Sequence, residues 1–273
     1  MSKSAAKATP ANHSELNKEN FNLKPIPPEG IFSFACHPGV SCYNRCCHQI
    51  DVILTPLDIL NIKTKLNLRS DEFLTEYTDL QSLSDSGVPM VKLRMRKNSN
   101  GACIFLAGDK GCSIYENRPH VCRSYPLGVA ALDPREAGHL TEGQSSEARF
   151  MIQEEMCMGH REPKTWTLKE WMKDQGTFGM EQDNKPWLEI VAKLKAMKIA
   201  EAQQREVSLF MMVSYDLDTF WKFVFESSFQ ERFAVDQKVA DSMRSDQVEL
   251  LKFGMEWLQF ALFGEGPIQP KQQ

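Results

Sequence analysis

The chain has 273 residues, 42% hydrophobic and 25% charged, with 32 Lys and Arg against 36 Asp and Glu for a formal net charge of -4. A chain of this size and apolar content buries an ordinary core and does not need cysteine staples to fold. Mixed charge without a basic excess gives no footprint for nucleic acid, and no apolar run approaches the roughly 18 residues of a membrane span, so neither partner is expected.

Residues 1–29, rich in Ser, Ala, Lys and Asn and ending in Pro25-Ile26-Pro27-Pro28, lack apolar periodicity and read as a disordered tail. The tail has lysines but no apolar stretch of the secretory kind, so a cytoplasmic location is expected. Residues 30–164 form the cysteine-rich region. Within it Gln49–Leu54 and Val91–Arg96 alternate as strands do, and Ala102–Leu106 is a short apolar strand. Thr55-Pro56-Leu57-Asp58 supplies an N-cap, a proline at the first helical position and an acid at the third, which predicts a helix running to about Leu66. Ser70-Asp71-Glu72 starts another.

Residues 165–273 read as a mostly helical region packing on the first. Leu188, Val191, Leu194 and Met197 give one apolar stripe, and Val248, Leu251, Met255, Leu258 and Leu262 a second. Between them Val207–Tyr215 reads as a strand, and Asp218 caps a helix through Trp221, Phe225 and Phe229. Trp166 and Trp171 read as core anchors. Short strands and helices followed by a helical remainder make the fold class α+β.

All eight cysteines lie between Cys36 and Cys157. In a reducing compartment, thiols so clustered are metal ligands or redox groups rather than bridges. Cys36-x5-Cys42-x3-Cys46-Cys47 contains no C-x-x-C, which excludes a zinc-ribbon knuckle and a thioredoxin-type pair; the bacterial ferredoxin run is also absent. Cys103, Cys112 and Cys122 are spaced too widely for one knuckle, so the fold must gather them. Eight thiols suffice for two four-thiolate sites or for one with several left over. His37, His48, His120 and His160 each sit within three residues of a cysteine. Each is read as a surface or hydrogen-bonded group, with replacement of a thiolate as the sharper alternative.

Cys-x3-Cys-Cys followed by Leu54-Thr55-Pro56-Leu57-Asp58-Ile59, then Cys103-Ile104-Phe105-Leu106, Cys112-Ser113-Ile114-Tyr115-Glu116-Asn117-Arg118-Pro119 and Cys122-Arg123-Ser124-Tyr125-Pro126-Leu127, resembles the YkgJ-type cysteine-cluster family over residues 32–160. Members of that family are described as zinc- or iron-chelating and some as iron–sulfur proteins, and a related cysteine domain occurs in flagellin lysine N-methylases. The resemblance therefore implies a metal centre. The chain departs from the family at its first spacing, which many members make tighter than Cys36-x5-Cys42.

Soft thiolates suit Zn(II), Cu(I) and iron–sulfur clusters alike. The adjacent pair Cys46-Cys47 diverges in regular structure, so it ligates one centre from an irregular turn, serves two, or divides between ligation and packing. The preferred reading is a [4Fe-4S] cluster, with structural zinc second and a redox thiol third. Candidate metal ligands are Cys36, Cys42, Cys46, Cys47, Cys103, Cys112, Cys122 and Cys157. Arg118 and Arg123 are candidate cofactor-binding groups that offset the charge of a thiolate centre. Tyr115 and Tyr125 read as buried aromatics, Gly101 and Gly111 as tight turns, Glu154-Glu155 as a solvated end, and Pro119 and Pro126 as the limits of a short helix carrying Cys122. No catalytic signature for hydrolysis, phosphate or dinucleotide binding is present. Two classes of function follow: a metal-binding protein in a redox, carrier or sensor role with an unknown protein partner, or an enzyme of lysine N-methylase type whose centre activates a substrate. An open coordination position separates them.

Overall fold

A computed structural model of the protein describes residues 22–83, 87–131, 147–197 and 204–271. Most of the tail and His139 lie outside these residues. The end of the tail is a strand: β1 (Asn22–Pro25) pairs antiparallel with β6 (Glu147–Gln153), which on its other edge pairs with β5 (Leu127–Ala131). Main-chain bonds along β6 thus hold residues whose composition alone reads as unstructured. A second small sheet joins β2 (Ile31–Ser33) to β7 (Thr165–Thr167), with Phe32 opposite Trp166. The third is a hairpin of β3 (Thr78–Ser82) and β4 (Pro89–Leu93).

Ten α-helices lie among the described residues: α1 (Pro56–Leu66), α2 (Ser70–Tyr77), α3 (His120–Ser124), α4 (Leu168–Gln175), α5 (Thr177–Ala196), α6 (Gln204–Tyr215), α7 (Leu217–Phe225), α8 (Phe229–Arg232), α9 (Gln237–Ser245) and α10 (Gln247–Phe263). With the small antiparallel sheets they make the fold α+β. None is long and apolar enough to cross a membrane.

Helix α1 starts and stops where its sequence dictates. Thr55 and Asp58 exchange main-chain and side-chain hydrogen bonds in a capping box, Pro56 occupies the first turn, and Asn67 closes the end in the left-handed region. Helix α4 repeats the device with Thr167 and Glu170 and ends on the left-handed Gly176.

Several elements differ from their sequence reading. Residues 49–54 run beside β4 without forming a strand, because Gln49 has φ 52° and the contact is reduced to an isolated bridge at Ile53 and hydrogen bonds at Leu54 and Leu93. Strand β4 stops at Leu93, and 102–106 is a series of turns with bridges at Ala102, Cys103 and Leu106. Val207–Tyr215 is helix α6, whose buried Phe210, Val213 and Ser214 follow a helical period. Helix α7 is capped by Asp216; Asp218 lies in its first turn and accepts from Lys63 and from the Ser70 main chain. The buried face of α5 is Trp187, Ile190 and Leu194, leaving Leu188 and Met197 exposed. On α10, Leu251, Met255 and Leu258 are buried as their spacing implies.

Two cores result, and both cross residue 165. The larger joins Val52, Leu54, Ile59, Ile62 and Phe105 to Trp187, Phe210, Phe220 and Leu258. The smaller packs Phe32, Phe34 and Leu127 against Leu168, Trp171 and Met172. Trp166 and Trp171 anchor the smaller core as expected, and their indole N–H groups donate to the main-chain carbonyls of Phe34 and Ser124 at 2.8 and 3.2 Å.

Candidate metal centre

All eight cysteines are free thiols; Cys122 lies on helix α3, Cys46 and Cys47 on a 3-10 turn, and the other five on irregular chain between regular elements. After β2 the chain turns through Cys36 and Cys42 into a single 3-10 turn, Arg45–Cys47, entered through the left-handed Asn44. Asn44 Nδ2 donates to the Gly108 carbonyl at 3.0 Å and so ties this turn to the one before Cys112. Gly111 (φ 79°, ψ -151°) sits in that turn, where a Cβ would lie 2.5 Å from Tyr43 Oη; only glycine fits both constraints. Gly101, at φ 63°, plays the tight-turn part near Cys103. The Cys103 N–H donates to the Cys47 carbonyl at 2.8 Å, and Leu106 bridges Cys112.

Cys122 rides on α3, which spans His120–Ser124 between Pro119 and Pro126 as expected. Its position is fixed by Asp58. This fully buried carboxylate accepts from the Thr55 N–H at 2.9 Å and from the His120 N–H at 2.8 Å, so the start of α1 and the start of α3 share one acceptor. Burial raises the pKa of Asp58 against those hydrogen bonds. Glu181 on α5 braces the same helix: it pairs with Arg149 of β6 at 2.6 Å and with His120 Nε2 at 3.8 Å. Burial opposes its ionisation, but the hydrogen bonds and charges of His120 and Arg149 outweigh it and bring Glu181 down to about 2.

Four thiols, those of Cys36, Cys42, Cys46 and Cys157, line one cavity together with Phe34, Val40, Tyr125, Glu154 and Met156. The Met158 N–H donates to Cys42 Sγ at 3.1 Å. Gly159 follows where a Cβ would meet the Ala35 carbonyl and the Phe34 ring at 2.8 Å. Burial, with the neighbouring Cys46, Cys42 and Cys157 thiols, pushes Cys36 up to about 11, opposed by the charge of Arg118. Burial also raises Cys157, opposed by the neighbouring Tyr125 hydroxyl.

The other thiols act mainly on one another, and Cys46 acts on Cys122 as well. Burial, with the Cys103, Asp58 and Cys112 charges next, pushes Cys122 up to about 12. Cys103 is raised by burial and then by Cys112 among the thiols, and Cys112 is raised by burial against the charge of Arg118. Between the two groups stand Cys46 and Cys47. The two adjacent thiols influence each other's ionisation, which lowers Cys46 and raises Cys47.

The expected accessory residues fall in mixed places. Arg118 donates to the Tyr115 carbonyl at 2.7 Å and to Gln175 Oε1 at 2.5 Å, and lies over the Tyr115 ring. Arg123 donates to the Arg118, Gln175 and Glu116 carbonyls. The two guanidinium groups thus brace the loop between Cys112 and Cys122, and only the charge of Arg118 reaches the thiols. Tyr115 is exposed rather than buried, whereas Tyr125 packs on Phe34. Glu154 is not a solvated end: it lines the cavity and accepts from the Tyr125 hydroxyl at 3.3 Å, while Glu155 is exposed. His37 pairs with Glu162, His120 with Glu181, and His160 packs between Phe34 and Tyr125. Asp58, Tyr125, Glu154 and Glu181 are the supporting residues whose roles the sequence does not disclose, although the capping box singles out Asp58.

Eight free thiols within one stretch of an α+β scaffold define a cysteine-cluster region. Residues 35–158, which hold all eight, match the family model CxxCxxCC, described as "Putative zinc- or iron-chelating domain". Neither the curated proteins nor the solved structures contain a match to the chain.

Proposed function

We propose that the protein holds an iron–sulfur cluster of the [4Fe-4S] type through cysteine thiolates and acts in a redox, carrier or sensor role. One observation carries this reading. Four thiols line one common cavity, the number that a [4Fe-4S] cluster takes, one on each iron.

The donor set fits such a group in its chemistry as well. The thiols are soft and free, and Cys42 already accepts a main-chain N–H, the kind of hydrogen bond that tunes a cluster sulfur. When bound, the cluster supplies one-electron chemistry. Around it Cys36, Cys42, Cys46 and Cys157 would bind, the Met158 N–H holds the Cys42 sulfur in place, and Arg118 offsets negative charge. A reducing, cytoplasmic setting suits thiols in this state.

Anaerobic purification tests the reading. The expected protein is brown, with broad visible absorption and equal amounts of iron and acid-labile sulfide. A colourless protein carrying tightly bound zinc would overturn the cluster while leaving metal binding intact.

A further inference from the structure

We infer that the eight thiols serve two centres, with Cys36, Cys42, Cys46 and Cys157 in one and Cys47, Cys103, Cys112 and Cys122 in the other. The inference rests on the metal-binding reading and goes beyond it by dividing the ligands.

The first set is defined by its shared cavity, which none of the other four cysteines lines. Its members come from the two ends of the family segment, and the Met158 N–H to Cys42 Sγ bond clips those ends together. The second set is assembled by the main chain. Cys103 is hydrogen-bonded to the Cys47 carbonyl at 2.8 Å. Cys103 and Cys112 are the two sides of one bridged turn, with the Leu106 N–H on the Cys103 carbonyl and Leu106 paired to Cys112. Cys122 is brought up by α3, whose first N–H is held by Asp58.

The vicinal pair explains why the division falls where it does. Cys46 and Cys47 share the 3-10 turn Arg45–Cys47, and successive side chains on such a turn are rotated by about 120°. They therefore face different partners. Cys46 lines the cavity and Cys47 does not, while the Cys47 carbonyl holds the Cys103 N–H at 2.8 Å. One turn supplies a ligand to each side, which makes it the joint between two adjacent centres. A single centre at the cavity would leave Cys47, Cys103, Cys112 and Cys122 without a metal.

Metal counting on full-length variants tests this. Wild type, Cys36→Ser with Cys157→Ser, and Cys103→Ser with Cys112→Ser are purified anaerobically side by side. Iron, zinc and sulfide per chain are measured, and far-UV circular dichroism checks the fold. Each pair is expected to lose about half the wild-type metal, and the four changes together nearly all of it. The alanine counterparts repeat the reading for any serine pair that misfolds. A folded protein emptied by either pair alone, or one that keeps its full metal without Cys103 and Cys112, overturns the two-centre division. A wild type without metal overturns the metal-binding reading itself, a different result from metal that is present and does not divide.

Discussion

At position 58 a single carboxylate serves two helices, and its geometry gives the sharpest prediction for one residue. Asp58 is 1% exposed and accepts main-chain N–H groups from Thr55 and His120. Asp58→Ala leaves two buried donors without a partner, at a cost of about 2–4 kcal/mol. Because the lost bond to His120 also frees the start of α3, metal retention through Cys122 should fall together with the urea midpoint. Metal content that is unchanged in a destabilised variant would detach Asp58 from the placement of Cys122. The sequence exposes half of this residue's role. The spacing from Thr55 to Asp58 announces a capping box, but the second acceptor bond spans 62 residues of sequence, and no local pattern encodes a contact of that range. The cysteines are the opposite case. Their soft, reactive side chains and clustered positions mark them without any structure, whereas the company each one keeps depends on turns.

At the scale of elements, charge across α3, α5 and β6 makes a pH prediction. Glu181 has its pKa lowered from 4.5 to about 2 in the folded protein, so the folded state favours the ionised carboxylate. The stability it contributes is therefore complete above pH 4.5 and is lost as pH falls towards 2. Since Glu181 and Arg149 keep about a fifth of their side-chain surface, solvent screening reduces the contribution to about 2 kcal/mol. Glu181→Gln should lose that amount at pH 7 and flatten the decline of stability between pH 4.5 and 2 in urea titrations. Parallel curves for the two proteins would show that the ion pair is idle. Capped elements such as α1 and α4 are legible in sequence because their end signals are local. Helix α6 is not, because Val207–Tyr215 is a short run rich in apolar residues whose composition suits either state. Packing against α10 decides for the helix there. For α5, the stripe is rotated by one residue, because Trp187 and Ile190 fill the larger core in place of Leu188 and Met197.

For the whole molecule, the issue is whether the cysteine-cluster region stands alone. Composition divides the chain near residue 165, with the thiols on one side and most of the helices on the other. The cores contradict independence. Val52, Leu54, Ile59, Ile62 and Phe105, which carry the chain between the early and the middle cysteines, are buried in one cluster with Trp187, Phe210, Phe220 and Leu258. Phe34, two residues before Cys36, is held by Trp166 and Trp171. Each large apolar side chain returned to water costs about 1.5–3 kcal/mol, so exposing these few consumes the about 5–15 kcal/mol by which a domain is stable. A fragment of residues 1–164 should therefore lack a cooperative thermal transition and bind a hydrophobic dye, even when iron and sulfide are supplied during refolding. The full chain should melt in one transition. A fragment that folds cooperatively and keeps its metal would mean that the helices merely cover the thiol region. Failure of the fragment alongside success of the full chain would mean that the helical half is the wall against which the thiol-bearing turns are set, and that the two halves are one folding unit.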